Sequence, residues 1–379
     1  MPKSIKTLFA LALLLVILVV IKTRPPKPQN TITLGAIFDF TGVFADGGKA
    51  FKEGTEIAKE EINSQGGING KQLEIIYEDN PNNDARTALN AAQKLIHQNK
   101  VKAIVTTNFS GMASMQKLAE DTQTPIINII DASDKIAPLG DWLFGVGIYD
   151  EGQGSHVADF AKQKLNLNKI SVIAGKDLYL LTVAEAFKNK FINLGGNITS
   201  YDEFIVGETD FRTLMTKAKN SGAKAIFFSH LGEGGIGIKQ ARELGFTGLF
   251  LGTDTMSIAD TVKVAGEQAL NDKTFFALWK NFDSLTPEQL KFSEKYKTRY
   301  KQEPGDYLFY NVLGYDGLKV LSEAIKNSSG TGESIKNALY KIQNFNGLSG
   351  PISINKGGIN LDPKSAIVMY KNGIIVRAK

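Results

Sequence analysis

The sequence ITLGAIF, residues 32–38, begins the stretch that decides the fold, and it is an apolar run of strand length. The loop TGVFADGG (41–48) follows it, since clustered glycine and small polar residues interrupt regular structure. A helical pattern then occupies residues 51–62 and ends at GGING (66–70), because glycine tolerates the left-handed backbone that stops a helix. LEIIYED (73–79) is a second strand.

This order is a β–α–β unit whose first loop lies at the carboxyl end of a strand, where open α/β sheets bind ligands. Strands and helices continue to alternate to about residue 274, three helices follow, and the end of the chain is rich in strands. Apolar strands alternating with helices predict parallel-rich sheets that are flanked by helices. Asn372-Gly373, between two short apolar runs, predicts a tight hairpin turn.

Composition limits the class of protein. The chain has 379 residues, 42% of them hydrophobic and 22% charged, and its length favours two domains over one. The formal charge of +5 comes from residues 1–30, which hold five basic residues and no acidic ones. The remaining 39 basic and 39 acidic residues balance, so the folded part gives no electrostatic case for nucleic-acid binding.

The first thirty residues resemble a targeting segment. An uninterrupted apolar run at residues 8–21 follows Lys3 and Lys6, as in an export signal, and a Pro-rich stretch comes after it. No small-x-small cleavage pattern follows, which favours an uncleaved membrane anchor over a cleaved signal. The absence of cysteine excludes disulfides, thiolate metal sites and a cysteine nucleophile.

Three motifs carry a family resemblance. They are EIN (61–63) with GGING (66–70) and a strand that ends in Asp79, then GETDF (207–211), then QARELGF (240–246) leading into LGTD (251–254). In this order and spacing they resemble the periplasmic binding proteins for branched-chain amino acids. Those proteins are the extracellular solute receptors of ABC transporters and have the type I two-lobed fold.

The resemblance implies two Rossmann-like lobes joined by a hinge that the chain crosses three times. After the signal or anchor and linker of residues 1–30, lobe 1 would comprise 31–147 and 275–347. Lobe 2 would comprise 148–274 and 348–379. The ligand would lie in the cleft between the lobes.

The resemblance also selects candidate ligand-binding residues at the ends of strands. They are Asp46, Ser110, Asp131, Ser133, Tyr179, His230 and Asp254. Several have simpler interpretations: Ser110, Asp131 and Asp254 could each cap a helix, and His230 could be a structural histidine.

Asp254 is the strongest of these candidates. In amino-acid-binding members of the family, an acidic residue here pairs with the amino group of the ligand. The chemistry supports this, because an unpaired ammonium in a closed, dry cleft would cost several kcal/mol. Phe109 and Asp131 replace residues with which those members contact their ligands, so the resemblance leaves the ligand open.

A competing interpretation comes from GEGGIG (232–237), which matches the G-x-G-x-x-G dinucleotide fingerprint between a strand and a helix, with Asp254 at the expected distance. The motif lies deep inside a longer α/β series in a glycine-rich chain, so we do not expect a dinucleotide cofactor. The sequence contains no recognisable catalytic set, and His97, His156 and His230 are too scattered for a metal motif.

These patterns predict an exported receptor, not an enzyme, which captures a small polar ligand such as an amino acid or a related amide or carboxylate. Closure of the hinge would hold the ligand, and an ABC transporter permease would be the protein partner. A membrane-tethered sensory ectodomain of the same fold, signalling to a protein partner, is the alternative.

Overall fold

The computed structural model of the protein describes residues 31–279, 284–361 and 365–378. The predicted anchor at residues 8–21 therefore lies outside the described residues. Within them, no helix combines the length and apolarity needed to cross a membrane.

The strands and helices follow the predicted alternation. The strands are β1 (Thr31–Phe38), β2 (Gln72–Asp79), β3 (Ile104–Thr106), β4 (Ile126–Asn128), β5 (Asp131–Ala132), β6 (Leu143–Gly145), β7 (Ile148–Tyr149), β8 (Lys169–Gly175), β9 (Asn197–Phe204), β10 (Ala225–Ser229), β11 (Leu249–Gly252), β12 (Thr274–Trp279), β13 (Phe345–Gly347), β14 (Gly350–Ile352), β15 (Ser365–Lys371) and β16 (Ile374–Arg377). The helices are α1 (Ala45–Ser64), α2 (Ala85–Gln93), α3 (Phe109–Ser114), α4 (Gln116–Thr122), α5 (Asp150–Gln163), α6 (Leu178–Asn193), α7 (Arg212–Asn220), α8 (Gly234–Glu243), α9 (Ala259–Ala265), α10 (Glu267–Leu270), α11 (Pro287–Tyr300), α12 (Leu308–Lys326) and α13 (Gly332–Leu339).

The first lobe is built on a parallel sheet with the strand order β2-β1-β3-β4-β6. Helices α1 and α12 pack against each other at backbone distance beside this sheet. A Cβ atom on Gly54 of α1 would lie 1.8 Å from the carbonyl oxygen of Asn311, and one on Gly314 of α12 would lie 2.3 Å from that of Phe51. Only glycine permits this approach, and it fixes the position of the first turn of α12, which enters the functional site.

The second lobe is built on a sheet with the order β16-β15-β12-β11-β10-β8-β9. Its strands are parallel from β9 to β12, while β15 and β16 run antiparallel. The predicted hairpin is confirmed: Asn372 and Gly373 have φ values of 50° and 75° and join β15 to β16. Stacked aromatic rings form part of the core, with the ring centroids of Phe187 and Phe227 4.1 Å apart.

The predicted α/β class is confirmed. Two of its helices are irregular: α2 is α-helical only to Gln93 and is followed by a π-helical turn over Lys94–Gln98. The short helices α3 and α4 meet at Met115.

Two pairings show which sheet the segments near the predicted lobe boundaries contact. β12 pairs with β11 and β15 in the second sheet, whereas Gly145 of β6 bonds to the backbone of Gly358 and Asn360. The exact lobe boundaries, at 147/148, 274/275 and 347/348, stay a prediction.

Candidate functional site

The crevice between the lobes is lined by residues that follow strands of both sheets. Asp39 follows β1 and Asn108 follows β3 in the first lobe, while Asp177 and Asp254 follow β8 and β11 in the second. All four side chains are buried. Because the carboxyl ends of parallel strands meet at one edge of each sheet, the two lobes present these edges to each other.

The first loop of the chain is held in place by the end of β2. The carboxylate of Asp79 accepts hydrogen bonds from the Phe40 backbone N–H at 2.7 Å and from the Thr41 hydroxyl at 2.7 Å. This is the physical role of the strand-ending acid that the sequence motif contained. On the other side of the crevice, a Cβ atom on Gly232 would lie 2.5 Å from the Val43 carbonyl oxygen, so the loop touches the second lobe.

Asp254 lies at the centre of a hydrogen-bond network that spans the crevice. The Tyr179 hydroxyl donates to its Oδ1 at 2.6 Å, and the Tyr310 hydroxyl donates to its Oδ2 at 2.9 Å. Tyr179 belongs to α6 of the second lobe, but Tyr310 belongs to α12 of the first. Burial raises the pKa of Asp254, and the two phenol hydrogen bonds oppose that shift.

Two serines also bridge the lobes. The Ser110 hydroxyl donates to Oδ2 of Asp177 at 2.7 Å and accepts from the Leu178 backbone N–H at 2.9 Å. The Ser133 hydroxyl donates to Oε1 of Glu151 at 2.7 Å. Ser110 does not cap α3, because the side chain of Asn108 does so. Both serines instead connect the first lobe to the start of a second-lobe helix.

Carboxylates accumulate in the same region. Asp131 and Asp150 are 3% and 0% exposed, and burial, followed for Asp150 by the charge of Asp131, raises the pKa of both well above the ordinary value. Asp131 accepts a hydrogen bond from Asn128 Nδ2 at 2.7 Å. Neither oxygen of Asp150 has a hydrogen-bond partner.

The remaining candidates lie away from this network. His230 is buried, with its Nε2 3.3 Å from Met256 Sδ and its ring beside Phe228. Burial lowers the pKa of His230 to about 3, so its ring is neutral at physiological pH. Asp46 is exposed and lines a cavity of about 280 Å³ at the mouth of the crevice, together with Asp260.

The loop that matches the dinucleotide fingerprint is occupied by an internal carboxylate. Glu233, inside the motif, is buried, and its carboxylate accepts from the backbone N–H groups of Leu231, Gly232 and Gly207. A phosphate bound here would have to displace this internal carboxylate. Among the residues that the structure describes, no group of three or more His, Cys, Asp or Glu side chains could hold a metal ion.

Sequence reasoning missed Tyr310, Asp150 and Glu151. Tyr310 lies inside a predicted helix, where a buried tyrosine normally indicates core packing. Asp150 and Glu151 open α5, where acidic residues are already explained by the helix dipole. The one sequence feature that could have indicated a functional role for Asp150 and Glu151 is their position next to a predicted lobe crossing.

Comparison with known proteins identifies the family. A sequence model described as periplasmic binding protein matches residues 31–373. This chain belongs to the periplasmic binding protein family. The Leu/Ile/Val-binding protein homolog 3 of Brucella melitensis is 27% identical over 352 residues, which cover 91% of this chain and 93% of that protein.

Solved structures agree with this assignment. The branched-chain amino acid transporter substrate-binding protein LivJ of Streptococcus pneumoniae, solved with isoleucine, is 26% identical with a TM-score of 0.81, covering 92% of this chain and 99% of that one. The leucine-binding protein LivK of Thermotoga maritima is 27% identical, also with a TM-score of 0.81, covering 92% and 98%. The predicted resemblance and the type I two-lobed fold of this periplasmic binding protein are thereby confirmed.

Proposed function

We propose that this periplasmic binding protein captures a small polar ligand, an amino acid or a related compound with an amino group, between its lobes. Hinge closure holds the ligand, and an ABC transporter permease accepts it from the closed form. The observation that carries the proposal is the buried carboxylate of Asp254, which a tyrosine from each lobe contacts.

The energetics of closure support this function. A ligand shifts an open–closed equilibrium only as far as it binds the closed state more tightly. Asp254, Ser110 and Ser133 have partners on the opposite lobe, which supports a ligand position where the two lobes meet. A ligand that replaces water between these edges contacts both lobes only after closure. The likeness to the leucine-binding protein LivK supports the ligand class, and the likeness to LivJ, a branched-chain amino acid transporter substrate-binding protein, supports both the ligand class and the transporter partner.

Binding and scattering experiments test the proposal together. The full chain, purified in mild detergent, is screened by thermal shift against amino acids and related amides and amines, and each hit is measured by calorimetry. Asp254→Ala is expected to weaken binding at least about thirtyfold, because it leaves a buried ammonium without its partner. Unchanged affinity would remove Asp254 from the site, and an identical scattering radius with and without ligand would contradict closure.

The N-terminal segment is a separate part of the proposal. We infer from the apolar run at 8–21 that the protein is exported and stays anchored at the outer face of the cytoplasmic membrane. Mass analysis of the mature protein tests this inference. A mature chain that begins near Gln29 would exclude the anchor and leave export by a cleaved signal.

A further inference from the structure

Three carboxylates in the crevice are buried without a counter-charge. Asp131, Asp150 and Asp254 are at most 3% exposed. The ion pairs among the described residues all involve other carboxylates, so no lysine, arginine or histidine there neutralises these three. Burying a carboxylate without a cation or hydrogen-bond donors is costly, and the cost rises when other carboxylates lie nearby.

Asp150 supplies an independent sign that something else binds here. It is fully buried at the start of α5, and both of its oxygens lack a hydrogen-bond partner. The charged groups that affect it most are all acidic: Asp131, Glu151, Asp254 and Asp177. A buried acid that faces only acids lacks a positive partner, and a ligand can provide one.

The charges of the same crevice favour a cationic group over an anionic one. The hydroxyls of Ser110 and Ser133 already donate to Asp177 and Glu151. A ligand carboxylate placed beside Asp131 and Asp150 would be repelled by both. A metal ion is also disfavoured, since the described residues contain no cluster of acidic or histidine side chains that could hold one.

We propose that the ligand carries two or more cationic nitrogens, with one held by Asp254 and another by Asp131 and Asp150. This inference rests on the proposed function, because it concerns the solute captured between the lobes. A ligand with a single ammonium group leaves at least one buried carboxylate without a cation, whereas a dication provides one cation for Asp254 and one for Asp131 and Asp150 to share. Ionised carboxylates accept several hydrogen bonds each, so Asp254 can keep its tyrosines while it accepts from the ligand.

The test compares three sets of probes on the full chain in mild detergent, by thermal shift, calorimetry and scattering. The sets are 1,4-diaminobutane with 4-aminobutylguanidine, lysine with arginine, and leucine with glutamine. The inference is supported if a dication of the first or second set binds at least about tenfold more tightly than leucine or glutamine. The first set lacks a carboxylate and the second set has one, so comparing their affinities shows whether the ligand also carries a carboxylate. If only leucine or glutamine binds and compacts the protein, the inference is wrong and the proposed function stands. If no probe binds, both fail.

Matched variants locate the second cation. Asp150→Asn keeps the shape and removes the charge, so it is expected to weaken dication binding at least about thirtyfold without lowering the melting temperature of the ligand-free protein. Asp131→Asn provides the same test should Asp150→Asn not fold. The control is Asp159→Asn on the same helix, where the carboxylate faces Lys190 at 3.2 Å, and it should change nothing. Dication affinity undiminished in both crevice variants would overturn the assignment.

Discussion

Replacing Tyr310 with phenylalanine would remove one hydroxyl from the crevice and keep the ring that packs between Phe44 and Phe51. That hydroxyl donates to Oδ2 of Asp254 at 2.9 Å and joins the two lobes. A hydrogen bond to a charged group contributes about 1.5–3 kcal/mol. Because this bond exists only when the lobes are together, Tyr310→Phe should lower the closed-to-open ratio between about tenfold and about 150-fold.

Tyr179→Phe is the matched control. Its hydroxyl donates to Oδ1 of the same carboxylate at 2.6 Å, but Tyr179 and Asp254 both belong to the second lobe. Losing this bond therefore affects the open and closed states alike. The Tyr179 hydroxyl also lies 2.9 Å from Thr253 Oγ1, again within the second lobe. Only Tyr310→Phe therefore loses a hydrogen bond that crosses the crevice, and the comparison reports on closure.

Spin labels on the two lobes measure this effect directly. The chain contains no cysteine, so Lys117→Cys in α4 and Lys263→Cys in α9, both exposed, give one label in each lobe. The distance distribution should move toward longer values in Tyr310→Phe and match the parent in Tyr179→Phe. Identical distributions in all three proteins would refute the assignment of the Tyr310–Asp254 bond to closure.

Three further outcomes are expected. Gly54→Ala should destabilise the protein by about 3 kcal/mol, measured by urea denaturation, because its Cβ atom would meet the backbone of Asn311 in α12. Gly232→Ala should lower the closed fraction at least about tenfold, read with the same spin labels, because its Cβ atom would meet the Val43 carbonyl across the crevice. Burial raises the pKa of Asp150, whereas a bound cation favours its charged form; affinity for a dication should therefore rise as the pH is raised above the ordinary range of a carboxyl group, with proton release detected by calorimetry in two buffers.

Each of these outcomes has a clear counter-result. Lys49→Ala and Lys239→Ala, exposed on α1 and α8, are the controls for the two glycine variants and should behave like the parent. A Gly54→Ala protein as stable as its control would mean that α1 and α12 can separate at little cost. A closed fraction unchanged in Gly232→Ala would show that Val43 moves aside freely. Dication affinity that is flat with pH would mean that the crevice carboxylates are already ionised.

Much of the fold could be predicted because its signals are local. The apolar run at 32–38, the glycine turn at 66–70 and the Asn372-Gly373 hairpin each specify backbone conformation within a few residues. What the sequence did not reveal is the pairing of β12 with β15 and the bonds from Gly145 to Gly358 and Asn360, because these depend on contacts between distant segments.

The residues of the site also differ in whether local sequence or contacts between distant segments determine their position. Asp254, Tyr179 and Ser110 follow strands or begin helices, so their place in a crevice could be expected from chain order, and the structure brings them to the contact between the lobes. Tyr310 reaches the crevice only because glycines let α12 press against α1, which no periodicity reveals. Asp150 looks like an ordinary helix-start acid until its burial is known.

The order of β-strands in the second sheet has a consequence for biosynthesis. β12 lies between β11 and β15, so its second neighbour is supplied by residues near the end of the chain. In the first lobe, α1 is likewise covered only after α12 has been synthesised. Neither half of the molecule can therefore complete its core before these distant segments have been synthesised, and long-range pairing of this kind is slow. Slow folding keeps a newly made chain unfolded for longer, and an unfolded chain is the form that can pass through a translocation channel.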